Sequence, residues 1–237
     1  MSLAIKYRLA NLLAYLGFNK KIEYFRWKRR VLTGIDYSKF ASFNKNNSAN
    51  LIFIHIPKSA GMSMIKALYG KKNSHHAKAI DYMNRDSEKF KKHTFFAIAR
   101  NPYARLYSAY NYLDNNGMNI VDRVWCDLYI KKYKSFDNFI LNGLEIAINE
   151  NAEHFIPQYK FVVDEQNNLI CDFIGHLENM EATYDFLKKH RVDLKLSYEN
   201  TANIDTKNYK NQYRPETIAK VNQLYKQDFE LFGYELL

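Results

Sequence analysis

Residues 51–68 read LIFIHIPKSAGMSMIKAL, in which a strand pattern is followed by a short loop and a helix pattern. The stretch opens as a continuous apolar run rich in β-branched residues, which is typical of a strand buried on both faces of a parallel sheet. Pro57, Lys58 and Gly61 interrupt the run before apolar residues return at helical spacing. A helix that starts at the end of a strand presents free backbone N–H groups and the positive end of its dipole. The loop therefore predicts an anion-binding site.

The side chains of the loop also suit an anion. Gly61 lets the backbone approach a ligand closely, and Lys58 supplies a full positive charge. Ser59 and Ser63 offer hydroxyl donors. An ordinary strand-to-helix turn with an exposed lysine is the alternative interpretation of the loop taken alone.

The alternation of strand and helix patterns continues along the chain. Apolar runs at 93–99 (HTFFAIA) and 169–175 (LICDFIG) each lead into helical spacing. Ser135 is placed to cap a helix, Pro215 to begin one and Gly233 to end it. Together these patterns predict an α/β fold with a mostly parallel central sheet flanked by helices.

Composition limits the partners. The 237 residues include 35 Lys and Arg against 25 Asp and Glu, a formal charge of +10, which favours a nucleotide, a nucleic acid, an acidic glycan or a membrane surface. A hydrophobic content of 47% is enough for a sizeable core and excludes disorder of the whole chain. Cys126 and Cys171 are too few for a disulfide framework and have no zinc-binding spacing, so we expect a reducing compartment and no metal site.

The N-terminal part differs from the rest. Lys6 and Arg8 interrupt its apolar start, which leaves about ten apolar residues against the roughly twenty that a membrane span needs. We therefore predict that 1–48 form a basic helical appendage and linker, and that 49–237 form the main domain. Residues 1–30 are a candidate for peripheral membrane contact, although a solvated helix face is the commoner outcome for such a charge run.

The second strand predicts a second anion site. In AIARNPYARLYSAY, residues 97–110, Arg100 follows the strand, Pro102 begins a helix and Ser108 lies about two turns along it. Arginine can fork onto a phosphate while a serine hydroxyl donates to the same group. Pairing of Arg100 with a carboxylate, and of Ser108 with its own helix backbone, are the alternatives. Two anion sites at neighbouring strand ends suggest a ligand with separated phosphates.

Three classes of function fit such sites. An atypical ATP-dependent phosphotransferase is weakened because Ile52 and Pro57 stand where the Walker A motif requires glycine, and because no strand ends in an Asp placed for magnesium. A non-enzymatic module that binds nucleic acid or membrane would explain the charge, but no nucleic-acid-binding motif is present, so we expect no nucleic acid partner. A sulfuryl group carries less charge than a phosphoryl group, so a lysine and backbone dipoles can support its transfer without a metal.

The motifs resemble those of the carbohydrate sulfotransferases, the family of the chondroitin, dermatan and HNK-1 enzymes and their bacterial relatives. The resemblance runs over residues 51–235 and includes ENAEHFIPQYKFV, CDFIGHLENMEATYDFL and YKQDFELFGY. It implies a P-loop NTPase-like fold, 3′-phosphoadenosine 5′-phosphosulfate (PAPS) as donor, a carbohydrate acceptor and a part in polysaccharide biosynthesis. Animal relatives carry an N-terminal membrane span that this chain lacks, so we expect a bacterial, cytoplasmic enzyme, with residues 1–30 as the candidate for membrane contact.

The resemblance also assigns roles. Lys58 would neutralise charge on the bridging phosphate oxygen, and Arg100 and Ser108 would hold the 3′-phosphate. The 5′-phosphate would lie against the backbone of Ser59, Ala60, Gly61, Met62 and Ser63. Relatives often have Thr at the position of Met62, and we expect only the Met62 backbone to be used.

Histidines are the candidates for the base that deprotonates the acceptor hydroxyl. His76 matches a histidine of many bacterial relatives and is the predicted base, with His75 as a less favoured substitute and a solvent-facing loop as the alternative. The resemblance places His154 near the acceptor, with Gln158 as a candidate hydroxyl partner, although packing is the favoured interpretation for His154. His55 is predicted to be a core residue within the first strand.

Two further features have open interpretations. Glu178 could orient a base or bond a helix terminus, and we assign it no catalytic role. The connection before the last helices could contact the nucleotide or be a solvated loop. Its candidate residues are Lys207, Tyr209, Lys210, Tyr213 and Arg214.

Overall fold

The computed structural model describes residues 50–69, 76–192 and 206–237, together with Phe25 and Lys28. The predictions for the basic N-terminal appendage and for His75 lie outside these residues.

The sheet has three parallel strands in the order β1-β2-β3. They are β1 (Leu51–Ile54), β2 (Thr94–Ala99) and β3 (Phe173–His176). The first two lie where the apolar runs predicted them, and β2 is the central strand. The prediction of an α/β fold with a parallel sheet is confirmed.

The prediction for the third strand was wrong at its start. Pairing with β2 begins at Phe173, not at Leu169, which instead forms an isolated antiparallel bridge with Val163. The Asp172 carboxylate accepts a hydrogen bond from the Phe95 backbone N–H at 2.7 Å. The polar Asp172 thus lies just before the first paired residue, and β3 begins later in the chain than the apolar run predicted.

Helices flank the sheet. Between β1 and β2 lie α1 (Gly61–Tyr69), α2 (Ala79–Arg85) and α3 (Ser87–Lys91). Between β2 and β3 lie α4 (Pro102–Asp114), α5 (Ile120–Tyr129), α6 (Phe136–Asn142), α7 (Leu144–Asn149) and the 3-10 helix η1 (Gln158–Phe161). After β3 lie α8 (Glu181–Lys189), the 3-10 helix η2 (Thr206–Gln212), α9 (Pro215–Leu224) and α10 (Lys226–Phe232).

The predicted helix signals are confirmed with one correction. Ser135 caps α6 by accepting a hydrogen bond from the Asn138 N–H at 3.2 Å, and Pro215 is the first residue of α9. Gly233 ends α10 in the left-handed conformation at φ 67°. The tail is two helices and not one, because the helix breaks at buried Tyr225.

Both faces of β1 and β2 are covered, as the apolar runs predicted. Alternate residues of the two strands belong to different clusters, one on each face of the sheet. A third cluster is formed by the helices that follow β2. Each large apolar side chain buried in these clusters contributes about 1.5–3 kcal/mol to folding. This packing fixes the carboxyl ends of β1 and β2, where the two predicted anion sites lie.

Candidate functional site

The loop that joins β1 to α1 has an unusual backbone. Lys58 and Ala60 adopt positive φ angles of 66° and 57°, which non-glycine residues rarely do outside functional or tightly constrained loops. Gly61 is required for packing, since a Cβ atom at this position would lie 1.6 Å from the His55 ring. His55 is buried just beyond the end of β1, so its ring helps to shape the loop.

Lys58 supplies the positive charge of the loop. Its Nζ lies 3.7 Å from the centroid of the Tyr112 ring, which is a cation–π contact. Burial, and after it the charge of nearby Arg100, lower the pKa of Lys58 to about 8, and Asp122 opposes the shift. The ammonium group is therefore poorly hydrated and would gain from contact with an anion.

A buried carboxylate supports the ring beneath Lys58. The Tyr112 hydroxyl donates to Asp122 Oδ2 at 2.6 Å, and the Met118 N–H donates to the same oxygen at 2.9 Å. Asp122 Oδ1 lies 4.0 Å from His154 Nε2. Burial holds the pKa of His154 well below its usual value, so this imidazole is neutral. Within the described part of the chain, His154 Nδ1 has no hydrogen-bond partner.

Arg100 connects the two predicted anion segments. Its Nη1 donates to the carbonyl oxygen of Lys58 at 3.1 Å, so the side chain that follows β2 reaches the loop that follows β1. Burial lowers the pKa of Arg100, and the Glu178 carboxylate opposes this shift. Two cationic residues from neighbouring strand ends are thus held side by side.

Gln158 joins both segments through its side-chain amide. Its Oε1 accepts hydrogen bonds from the Arg100 N–H at 3.0 Å and the Ser59 hydroxyl at 3.3 Å, and its Nε2 donates to the Arg100 carbonyl at 2.8 Å. Gln158 and Ser59 are both fully buried. The prediction that Gln158 pairs with an acceptor hydroxyl was therefore wrong. The Ser59 hydroxyl is also directed into the protein, and the Ser59 N–H donates to the Ile56 carbonyl at 3.4 Å.

Arg105 has a supporting role that the sequence did not reveal. It is 1% exposed, and its Nε donates to the Pro57 carbonyl at 3.0 Å. Its Nη2 donates to the carbonyls of His154 and Ile156 at 3.3 and 2.9 Å. This guanidinium binds the β1 loop to the segment that follows α7. Its position one turn into α4, within the quoted 97–110 motif, is the signal that could have found it.

His76 has hydrogen-bond partners at both ring nitrogens. Nδ1 lies 3.0 Å from the carbonyl oxygen of His55, and Nε2 lies 3.1 Å from Glu153 Oε1. The exposed fractions of the two side chains are 18% for His76 and 11% for Glu153, so the pair is largely shielded from water. Glu153 was not recognised from the sequence, although it stands within the quoted ENAEHF motif.

The remaining loop and helix residues occupy the predicted region. Ser108 is half-buried on α4, and its hydroxyl has no hydrogen-bond partner among the residues that the structure describes. Met62 is 40% exposed and Ser63 half-buried in the first turn of α1. Their assigned roles in nucleotide binding stay predictions.

Glu178 and the late connection have structural partners. Glu178 Oε1 accepts from the Asn101 N–H at 2.8 Å, which supports the start of α4, and Oε2 accepts from the Tyr234 hydroxyl at 2.8 Å. This confirms the helix-terminus interpretation of Glu178. The Tyr213 hydroxyl donates to the Tyr103 carbonyl at 2.7 Å, so Tyr213 is a buried packing residue.

The other residues of the connection before the last helices are divided between a solvated loop and a candidate nucleotide contact. Arg214 is exposed and pairs with Asp137 at 3.0 Å, whereas Tyr209 is half-buried in η2 and lies within electrostatic range of Arg100. Lys210 is exposed, and the side chain of Lys207 lies outside the described residues. Tyr209 therefore remains the candidate for a nucleotide contact.

Fold and site together define an α/β protein with a cluster of cations at the carboxyl edge of a parallel sheet. The sulfotransferase family model matches residues 41–235, and the chain belongs to this family, whose members are transferases that move a sulfuryl group. No curated protein and no solved structure shows a significant match to the chain. Among the described helices, none has both the length and the apolar character needed to cross a bilayer.

Proposed function

We propose that the protein is an O-sulfotransferase that moves the sulfuryl group of PAPS to a carbohydrate hydroxyl on a P-loop NTPase-like fold. One observation carries this proposal. Lys58 and Arg100 follow neighbouring parallel strands and are in direct contact through the Arg100 Nη1 bond to the Lys58 carbonyl. The expected cytoplasmic location and the membrane contact through residues 1–30 belong to the proposal and rest on the sequence alone.

The donor would bind across this pair. The 5′-phosphate would lie against the backbone of 59–63, in which residues 61–63 form the first turn of α1. Arg100 and the hydroxyl of Ser108 would hold the 3′-phosphate, since guanidinium and hydroxyl donors together match a phosphate monoester. The guanidinium has five N–H donors and can bind a phosphate while it keeps its bond to the Lys58 carbonyl.

Sulfuryl transfer then needs two groups from the chain. The acceptor oxygen forms a bond to sulfur while the bond from sulfur to the 5′-phosphate oxygen breaks, and Lys58 neutralises the charge left on that oxygen. The proton of the acceptor hydroxyl passes to the pair formed by His76 and Glu153. Buried Lys58 suits this role because a developing anion repays the desolvation of its ammonium group.

Donor specificity can be tested by thermal unfolding. Adenosine 3′,5′-bisphosphate without magnesium should raise the melting temperature of the wild-type protein, and Lys58→Met should reduce this shift. Lys92→Met, at an exposed lysine away from the β1 loop, is the matched control and should respond like wild type. A response to magnesium ATP alone would contradict the proposal and favour a phosphotransferase.

Acceptor class can be tested by product release. PAPS is supplied with unsulfated chondroitin, heparosan, dextran or a tyrosine-containing peptide, and release of adenosine 3′,5′-bisphosphate is followed. Release that depends on a glycan is the expected result. Release with the peptide but with none of the glycans would overturn the carbohydrate part of the proposal.

A further inference from the structure

The protonation of His76 can be read from its partners. A carbonyl oxygen only accepts hydrogen bonds, so His76 Nδ1 donates to the His55 carbonyl and carries a proton. Nε2 lies 3.1 Å from Glu153 Oε1. A bare Nε2 facing an ionised carboxylate would bring two acceptors together, so a proton lies between these two atoms.

This arrangement leaves the ring without a lone pair for the acceptor hydroxyl. A carboxylate, in contrast, has two oxygens with roughly four acceptor positions in all, so Glu153 can hold His76 and still accept a further proton. Within the proposed sulfuryl transfer, on which this inference rests, we propose that Glu153 is the catalytic base. His76 is then the positioning residue, which orients Glu153 through the contact of its Nε2 with Oε1.

The surroundings of the pair support this division of roles. Burial, together with the charges of neighbouring groups, holds the pKa values of His55 and His154 well below their usual range, so neither competes for the proton. His55 and His154 interact with His76, and Tyr112 interacts with Glu153. The Lys58 ammonium and the Asp122 carboxylate contact these neighbours in turn.

The step balances in atoms and charge. The acceptor oxygen bonds to sulfur, its hydrogen leaves as a proton to a Glu153 oxygen, and the electron pair of the broken sulfur–oxygen bond stays on the 5′-phosphate. His76 keeps both of its protons throughout, and Glu153 releases its proton to solvent after the products leave.

Matched amide variants separate the two roles. Glu153→Gln keeps the shape of the side chain but cannot take the proton, so kcat with PAPS and the glycan accepted by wild type should fall by roughly 10²- to 10⁴-fold. His76→Gln keeps an N–H donor for Glu153, so its kcat should fall by about 10-fold or less. Both variants should keep the affinity for adenosine 3′,5′-bisphosphate, which also verifies that they fold. Equal losses, or the greater loss in His76→Gln, would overturn the assignment.

A second measurement needs no acceptor. Long-range ¹H–¹⁵N NMR of the histidine side chains in the wild-type protein at neutral pH should show His76 with both ring nitrogens protonated. His76→Gln identifies the signal, and Glu153→Gln should convert it to a ring with one proton. A bare Nε2 in wild type would overturn the inference even if the enzyme transfers sulfate. Failure of the wild type to transfer sulfate to any glycan would instead count against the proposed function.

Discussion

Replacement of Gln158 by methionine should weaken the fold and the nucleotide site together, although Gln158 touches no ligand in the proposed complex. Methionine has nearly the same size and shape, so the change removes hydrogen bonds and leaves little cavity. Three bonds are lost, two with the Arg100 backbone at 3.0 and 2.8 Å and one with the Ser59 hydroxyl at 3.3 Å. The bond from the Gln158 N–H to Asp228 is made by the main chain and remains.

The size of the effect follows from these three groups. A buried polar group that loses its partner costs about 1–3 kcal/mol. Arg100 is only half-buried, so we take the lower part of this range and expect a loss of about 3–5 kcal/mol in the free energy of unfolding. A domain of this size typically has a stability of about 5–15 kcal/mol, so the variant should still fold but with a clearly lower urea midpoint.

Urea unfolding and nucleotide titration measure the two consequences. Affinity for adenosine 3′,5′-bisphosphate should fall with stability, because the Arg100 backbone and the Ser59 hydroxyl are no longer held by one amide. Exposed Gln166→Met is the surface control and should change stability by less than about 0.5 kcal/mol. A Gln158→Met variant as stable as this control would refute the reasoning.

Two further predictions concern the nucleotide directly. The pKa of Lys58 is about 8, so the free enzyme loses this positive charge as the pH rises through that value. Calorimetry should therefore show affinity for adenosine 3′,5′-bisphosphate falling above about pH 8 with proton uptake on binding, and Lys58→Arg should flatten the dependence because arginine stays charged. An equally steep loss in Lys58→Arg would exclude Lys58 as its origin. Ser108→Ala should weaken the same binding by about 1.5–3 kcal/mol, with little change in stability. Ser135→Ala removes a helix cap. It should lower the free energy of unfolding by about 1 kcal/mol and leave the dissociation constant of the nucleotide unchanged.

Local patterns were sufficient for the elements that carry the site. β1 and β2 could be predicted because residues buried on both faces of a strand form continuous apolar runs, and the Ser135 cap because it acts within a single turn. The prediction of an anion-binding loop rests on the same kind of local pattern, because the first N–H groups of a helix have no partner within that helix. β3 was displaced because Asp172 and Leu169 form bonds outside the strand, which an apolar run cannot reveal.

The α/β alternation and the positions of Lys58 and Arg100 after two successive strands follow from the sequence alone, because each depends on residues close together in the chain. Only the tertiary structure decided which distant groups meet. Gln158 bonds Ser59 from 99 residues away, and Glu153 reaches His76 from a separate segment between α7 and η1. Such pairings depend on how the helices pack around the sheet, and no periodicity along the chain encodes them.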